Sequence, residues 1–331
     1  MSNQNPLFAE SIIIDGLDTS KWGSETVYRT LRDGGVTAIN ATIAIWDDYE
    51  STLHNITRYL EWFEEFKALI RPVKSVNDIR LAKAENRTGI ILGWQNATPI
   101  GNELRRIRLF HELGVRVIQI TYNERNLLGN GCYERTDDGL SRFGLAAVEE
   151  MNRLGILIDL SHVGDRTTLD TIEHSSCPVA ITHANARSQI DHPRNKTDEA
   201  IKLLVERGGV IGANAFPMFF NRGFETELDE YLEAIDYLVQ MVGIDNVAVG
   251  TDFCMEQPRS FFEWLFMSQG RIAATEVAYT PEPYHHLRGF ESPADWIKVA
   301  HGLLERNYSE TDAKKVLGEN WLRLFGEVWS K

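Results

Sequence analysis

His162 and His183 each follow a short run of Leu, Ile and Val, and Asp252 follows the last such run in the chain. Asp15 with Asp18, Gln95 with Asn96, Tyr122 and Asn214 stand at equivalent places after the other runs. Imidazole is the commonest transition-metal ligand and titrates near neutral pH, so two rings at neighbouring strand ends suit a metal or an acid–base site. Asp252 is a candidate general base toward water, with Asp18 as its neighbour, since two close carboxylates raise one pKa. Tyr122 could donate its hydroxyl to a developing oxyanion, or pack as a strand aromatic. Arg194 carries a guanidinium fork suited to a substrate carboxylate, with Asn195 beside it; the alternative is a surface arginine in a loop leading into a helix.

These residues need a scaffold that gathers strand ends. Apolar runs at Ile12–Asp15, Val36–Ile43, Gly89–Trp94, Val115–Thr121, Gly155–Leu160, Pro178–Thr182, Gly209–Asn214 and Asn246–Thr251 read as strands. Most are continuous rather than alternating, as parallel strands covered on both faces require. Amphipathic stretches separate them: Leu53–Phe66, Glu103–Leu113, Leu140–Leu154, Asp198–Glu206 and Leu228–Met241. Gly114, Gly155, Gly208 and Gly243 sit where a helix must stop before a strand. Eight βα units in 331 residues predict a single α/β domain, a (β/α)₈ TIM barrel, over a doubly wound sheet. Leu69–Val73 reads as an accessory strand between the second and third barrel strands, residues 255–285 as a loop or lid, and Asp312–Trp329 as a closing helix. In such barrels the chemistry lies at the C-terminal ends of the strands.

Apolar residues make up 43% and charged residues 25%, ordinary for a soluble globular protein. The formal net charge of −14 disfavours nucleic acid and anionic membrane surfaces, which leaves a small molecule as the expected ligand. Cys132, Cys177 and Cys254 are odd in number and irregularly spaced, which suits a reducing compartment rather than a disulfide framework. With no basic and apolar leader pattern at the start and no run of spanning length, a cytoplasmic location is expected.

Six segments together resemble the membrane (renal) dipeptidase family. Leu157-Ile-Asp-Leu-Ser-His-Val163 and Ile181-Thr-His-Ala-Asn-Ala-Arg187 are similar to its fifth- and sixth-strand motifs, and His192-Pro-Arg-Asn195 to the Arg-Asn pair that follows. Gly250-Thr-Asp-Phe253 resembles its Gly-x-Asp-Phe, Ile14-Asp-Gly-Leu-Asp18 its Asp-Gly-His-x-Asp opening, and Gly139-Leu-Ser-Arg-Phe-Gly144 its Gly-Leu-Thr-x-x-Gly. The segments occur in the family's order from residue 12 to about residue 327. The resemblance implies a metallo-dependent hydrolase of the amidohydrolase-like barrel type, a homodimer with two metals, usually zinc, that cleaves dipeptides. It implies roles for Asp18, His162, His183, Arg194 and Asp252. It also implies a metal-binding histidine, a bridging glutamate and a substrate-contacting histidine where this chain has Leu17, Gln95 and Tyr122.

Leu17 offers no donor atom, and Gln95 offers one carbonyl oxygen without charge. Two divalent cations without a bridging anion repel each other uncompensated. The expectation is therefore at most one ion, zinc for preference, on His162, His183 and Gln95; a metal-free site and a full pair are the alternatives. Three functions stay open: a hydrolase of a small carboxylate-bearing, dipeptide-like amide; a lyase or isomerase using Asp and Tyr acid–base chemistry; or a non-catalytic small-molecule binder.

Overall fold

The computed structural model describes residues 6–272 and 284–330. Nine parallel strands form one sheet: β1 (Ile14–Asp18), β2 (Ala38–Ala44), β3 (Ile70–Pro72), β4 (Thr88–Trp94), β5 (Val115–Gln119), β6 (Leu157–Asp159), β7 (Ala180–Ile181), β8 (Val210–Asn214) and β9 (Val247–Gly250). Eight of them run in the order β1-β2-β4-β5-β6-β7-β8-β9, while β3 pairs with β4 off this path. The seam between β9 and β1 closes through Thr19 N to Phe253 O, 2.7 Å, and Asp252 N to Leu17 O, 3.0 Å. Asp15 reinforces it from inside, accepting from the Thr251 amide at 2.8 Å and from the Thr251 hydroxyl. The result is a nearly closed parallel barrel with alternating helices, the expected architecture.

Every barrel strand except β5 is buried along its whole length, and β5 exposes only part of Arg116. That explains the continuous apolar runs. One inward residue from each barrel strand (Ile14, Ala38, Ile91, Val117, Leu157, Ala180, Val210 and Ala248) joins a layer with Trp321, Leu324, Phe325 and Val328. The C-terminal helix thus plugs the floor of the barrel, its Trp321 indole donating to Val249 O at 2.9 Å. Gly114, Gly155, Gly208 and Gly243 all take positive φ, as helix stops ahead of a strand.

The strands begin or end where polar bonds take over from the ladder. The sixth run was expected over Pro178–Thr182 but forms β7 only at Ala180–Ile181, because the Thr182 amide donates to the Asp159 carboxylate at 2.9 Å instead. The closing helix is not continuous: Glu310–Lys314 and Asn320–Val328 flank a π turn at Lys315–Glu319. There Gly318 lies so close to Ile12 O that an added Cβ would sit 2.3 Å from it, so the backbone widens to pass the entry of β1. In the expected loop region, Arg259–Leu265 is a helix, and residues 273–283 lie outside the described residues. Among the described residues no helix is long and apolar enough to cross a membrane.

Candidate metal centre and catalytic cavity

His162 and His183 emerge from β6 and β7 with their Nε2 atoms 3.1 Å apart. Each ring is fixed from behind. Asn123 Oδ1 lies 2.7 Å from His162 Nδ1, and an amide oxygen can only accept, so that nitrogen carries the proton. Thr182 Oγ1 lies 2.7 Å from His183 Nδ1 and 2.8 Å from Asp159 Oδ2. The other Asp159 oxygen accepts from the Thr182 and Ser161 amides at 2.9 and 3.1 Å and from the Ser161 hydroxyl at 2.6 Å. With the Thr182 hydroxyl donating to this carboxylate, His183 must donate through Nδ1. Both Nε2 atoms therefore present lone pairs to each other. Burial, then the charge of Arg194, pushes both imidazole pKa values well below the usual range, so a shared proton does not relieve the contact.

A divalent cation would relieve it. Two ligands each about 2.0–2.1 Å from one ion come within about 3 Å of each other, and hydrogen-bonded partners on the far ring nitrogens are the usual support for metal-binding histidines. The residues fit one ion at this pair. Gln95 stands at the cavity wall with its Nε2 donating to Thr42 Oγ1 at 3.0 Å, which leaves its carbonyl oxygen as the one group it could give a metal.

A second ion would have Asp18 and Asp252 alone, two carboxylates without an imidazole, a poor set for zinc. Asp18 does not line the cavity among the described residues; Thr19, one residue further, does. Asp18 Oδ1 accepts from Ser20 N at 2.7 Å, and its Oδ2 is buried without a partner. Burial raises its pKa to about 7, with Asp252 adding to the rise. Asp252 does line the cavity, at φ 57° with its amide held on Leu17 O. Burial raises its pKa to about 6 against the pull of Arg194 and a bond from Asn214. Among the described residues no group of three or more His, Cys, Asp and Glu is placed to hold a metal together.

Tyr122 stacks on the His162 ring at 4.2 Å and meets Trp46 edge-on at 5.0 Å. Burial keeps its phenol protonated, so it stays a donor. Arg194 and Asn195 are fully buried and differ from expectation. Arg194 directs its two terminal nitrogens at Ser161 O and His183 O, tying the two histidine-bearing strand ends together, and only Nε lacks a partner. Asn195 bonds Ile190 O and the Asn185 amide, which braces the loop rather than facing the cavity. Asn214 likewise ties to His183 O at 3.2 Å, and Asn96 accepts from Asn126 at 2.9 Å. The cavity enclosed by Thr19, Gln95, Tyr122, His162, Asp252 and several apolar side chains is only about 40 Å³.

The sequence reading missed Thr19, Asn123, Asp159 and Thr182. A signal was present: each histidine is preceded by a hydroxyl residue, Ser161 or Thr182, and Asp159 lies three residues before His162.

A parallel barrel with paired, rear-braced imidazoles and carboxylates at its strand ends defines the metallo-dependent hydrolase type. Residues 3–262 match the sequence pattern of membrane dipeptidases (peptidase family M19), and the chain belongs to that family. A crystal structure of an amidohydrolase from Pseudomonas aeruginosa is similar at 39% identity and a TM-score of 0.94, covering 98% of each chain. An uncharacterized protein in the pqqA 5′ region of Klebsiella pneumoniae is 26% identical over 272 residues, 79% of this chain and 90% of that protein. The dipeptidase tcpJ of Claviceps purpurea is 25% identical over 255 residues, 76% of this chain but 54% of that protein, so the match spans about half of the fungal enzyme.

Proposed function

We propose that the protein is a hydrolase of a small, dipeptide-like amide bearing a free carboxylate, working with one divalent ion, zinc for preference, at His162 and His183. The observation that carries this reading is the 3.1 Å approach of two Nε2 lone pairs, each fixed by a partner on Nδ1. Such an ion supplies Lewis acidity toward a carbonyl or water. Gln95 is the third group within the cavity wall to support it.

Asp252 is the general base of this reading. With a pKa of about 6 it is mostly ionised at neutral pH yet basic enough to take a proton from an attacking water. Tyr122, held protonated, donates to the oxygen on which charge develops. Asp18 acts from behind the wall as a buried carboxyl raised to about 7, with Asp252 adding to that rise, so it holds a proton close to the base near neutral pH. Arg194 orders the two histidine-bearing strand ends, and its unpartnered Nε is what remains for a ligand. A homodimer and a cytoplasmic location accompany this reading as expectations from the family and the composition.

Lacking an acidic bridge at Gln95 and a histidine at Tyr122, this centre is expected to turn over ordinary L,L- and L,D-dipeptides weakly or not at all, against a narrower natural substrate. Steady-state assays over a dipeptide panel with added zinc or manganese test it. Turnover with kcat near the typical enzyme value of about 10 s⁻¹ on simple dipeptides would show that the altered centre is fully competent.

A further inference from the structure

The cavity at His162 is too small for a dipeptide, but a cleft of about 450 Å³ adjoins it. Thr19 lines both, and the Thr42 hydroxyl that receives Gln95 Nε2 lies in the wall of the larger one. Pockets of this volume are the size that small ligands occupy. Its walls come from the turn after β1 with Lys21 and Trp22, the end of β2 and the loop after it with Thr42 and Asp47, the helix Tyr49–Glu65 with Arg58, Tyr59 and Trp62, and the helix Arg259–Leu265 with Phe261 and Trp264.

The walls are aromatic. Tyr59 and Trp62 meet edge-on at 5.0 Å, and Gly23, at φ 87°, passes so close to Trp62 that a Cβ there would lie 2.6 Å from the indole. Two hydrogen-bond donors in this wall are buried without acceptors, the Tyr59 hydroxyl and Trp22 Nε1; Tyr59 is only 2% exposed. Buried donors of this kind are rare unless a ligand or water completes them. The charges are lopsided. Arg58 stands 4.8 Å over the Trp62 ring and Lys21 is exposed nearby, and neither pairs with a carboxylate among the described residues. The one acid, Asp47, has both oxygens engaged, by the Ile45 amide at 3.1 Å and by Asn55 at 3.0 Å, and burial raises its pKa. Two cations without a carboxylate partner beside aromatic rings are conspicuous in a chain of net charge −14.

From this juxtaposition we infer that the cleft is the binding site for an aromatic, carboxylate-bearing amide, its ring among Tyr59, Trp62 and Trp264 and its carboxylate at Arg58 and Lys21. The inference deepens the proposed hydrolase reading by naming its substrate class: an aromatic amino acid in amide linkage, with the amide directed past Thr19 toward the smaller cavity. Arginine and the aromatic rings suit such a ligand through bidentate pairing and stacking.

Isothermal titration with N-acetyl-L-tryptophan tests it, compared with N-acetyl-L-tryptophan amide, which lacks the carboxylate, and N-acetylglycine, which lacks the ring. Saturable binding of the first at one per chain is expected, at least tenfold tighter than either comparator. Arg58→Ala, and Arg58→Gln, which retains most of the stem, should each weaken it about tenfold without lowering the melting temperature. His162→Ala should leave it in place, which separates this site from the metal-dependent reading: binding without turnover sinks only the hydrolase proposal. No saturable binding, equal binding of the amide, or indifference to both Arg58 variants would overturn the inference.

Discussion

At the residue scale, the centre is decided by which atoms of each side chain are already engaged. His183 is competent for a cation only while Thr182 passes its proton to Asp159, so the carboxylate two bonds away controls the ring. Asp159→Asn or Thr182→Val should lower metal affinity about 10–100-fold, the usual cost of losing such a partner, read by competition with a chromogenic chelator; unchanged affinity would remove the relay from the account. Asp18 gives a second, opposite-signed test. Its carboxyl is raised by burial to about 7, whereas the unfolded chain titrates it near the ordinary 3.8. The native state therefore holds the proton more tightly. The stability this contributes is complete below about pH 4 and is lost as pH rises through about 7. Asp18→Asn, which cannot ionise, should gain on the wild type between pH 5 and pH 8 in melting experiments on chelator-treated protein. A difference that is the same at both pH values would place the Asp18 charge elsewhere. His162 and Asp252, which line the cavity, and His183, whose ring meets that of His162, were readable because each ends an apolar run. Asp18 was read with them, yet Thr19 is the residue in the cavity wall, because the sequence does not say which of the two neighbours the strand turns inward.

At the element scale, the alternation of apolar runs and amphipathic stretches carried the barrel, since strands covered on both faces leave an unbroken Val/Ile/Leu signature. The glycine helix stops were legible for the same local reason. Strand length was not. β7 shrinks to two residues because Thr182 and Asp159 exchange ladder bonds for side-chain bonds, and the C-terminal helix breaks where Gly318 meets Ile12 O. Both depend on partners distant in sequence. The floor of the barrel shows the same economy of space: Gly16, Gly212 and Gly250, from three strands, all face Thr182 O, where an added Cβ would sit 2.6, 2.1 and 1.9 Å away. Backbone there cannot yield cheaply without moving His183. Gly250→Ala should cost about 1–3 kcal/mol, as overpacking of a close-packed interior does, and weaken metal binding along with stability. Urea unfolding followed by a metal titration of the folded variant would check both, and a variant of wild-type stability would contradict the packing.

At the scale of the whole molecule, a hydrolase barrel carries Leu17, Gln95 and Tyr122 where the family resemblance implies a histidine, a glutamate and a histidine. Leu17 and Tyr122 offer no charged donor, and Gln95 offers none that is anionic. Placing His at Leu17, Glu at Gln95 and His at Tyr122 together should create a second ion site and raise dipeptide hydrolysis above the parent chain in the same panel assay. If the variant folds, binds two ions and stays as inactive as the parent, then the departures at these three positions are not what limits the chemistry. The single-ion centre remains the claim on which the rest depends. Elemental analysis of protein purified without chelator and then equilibrated with zinc reads it directly. No more than one tightly held ion per chain is expected, abolished by either His162→Ala or His183→Ala. Two ions per chain, or one that survives both substitutions, would contradict it.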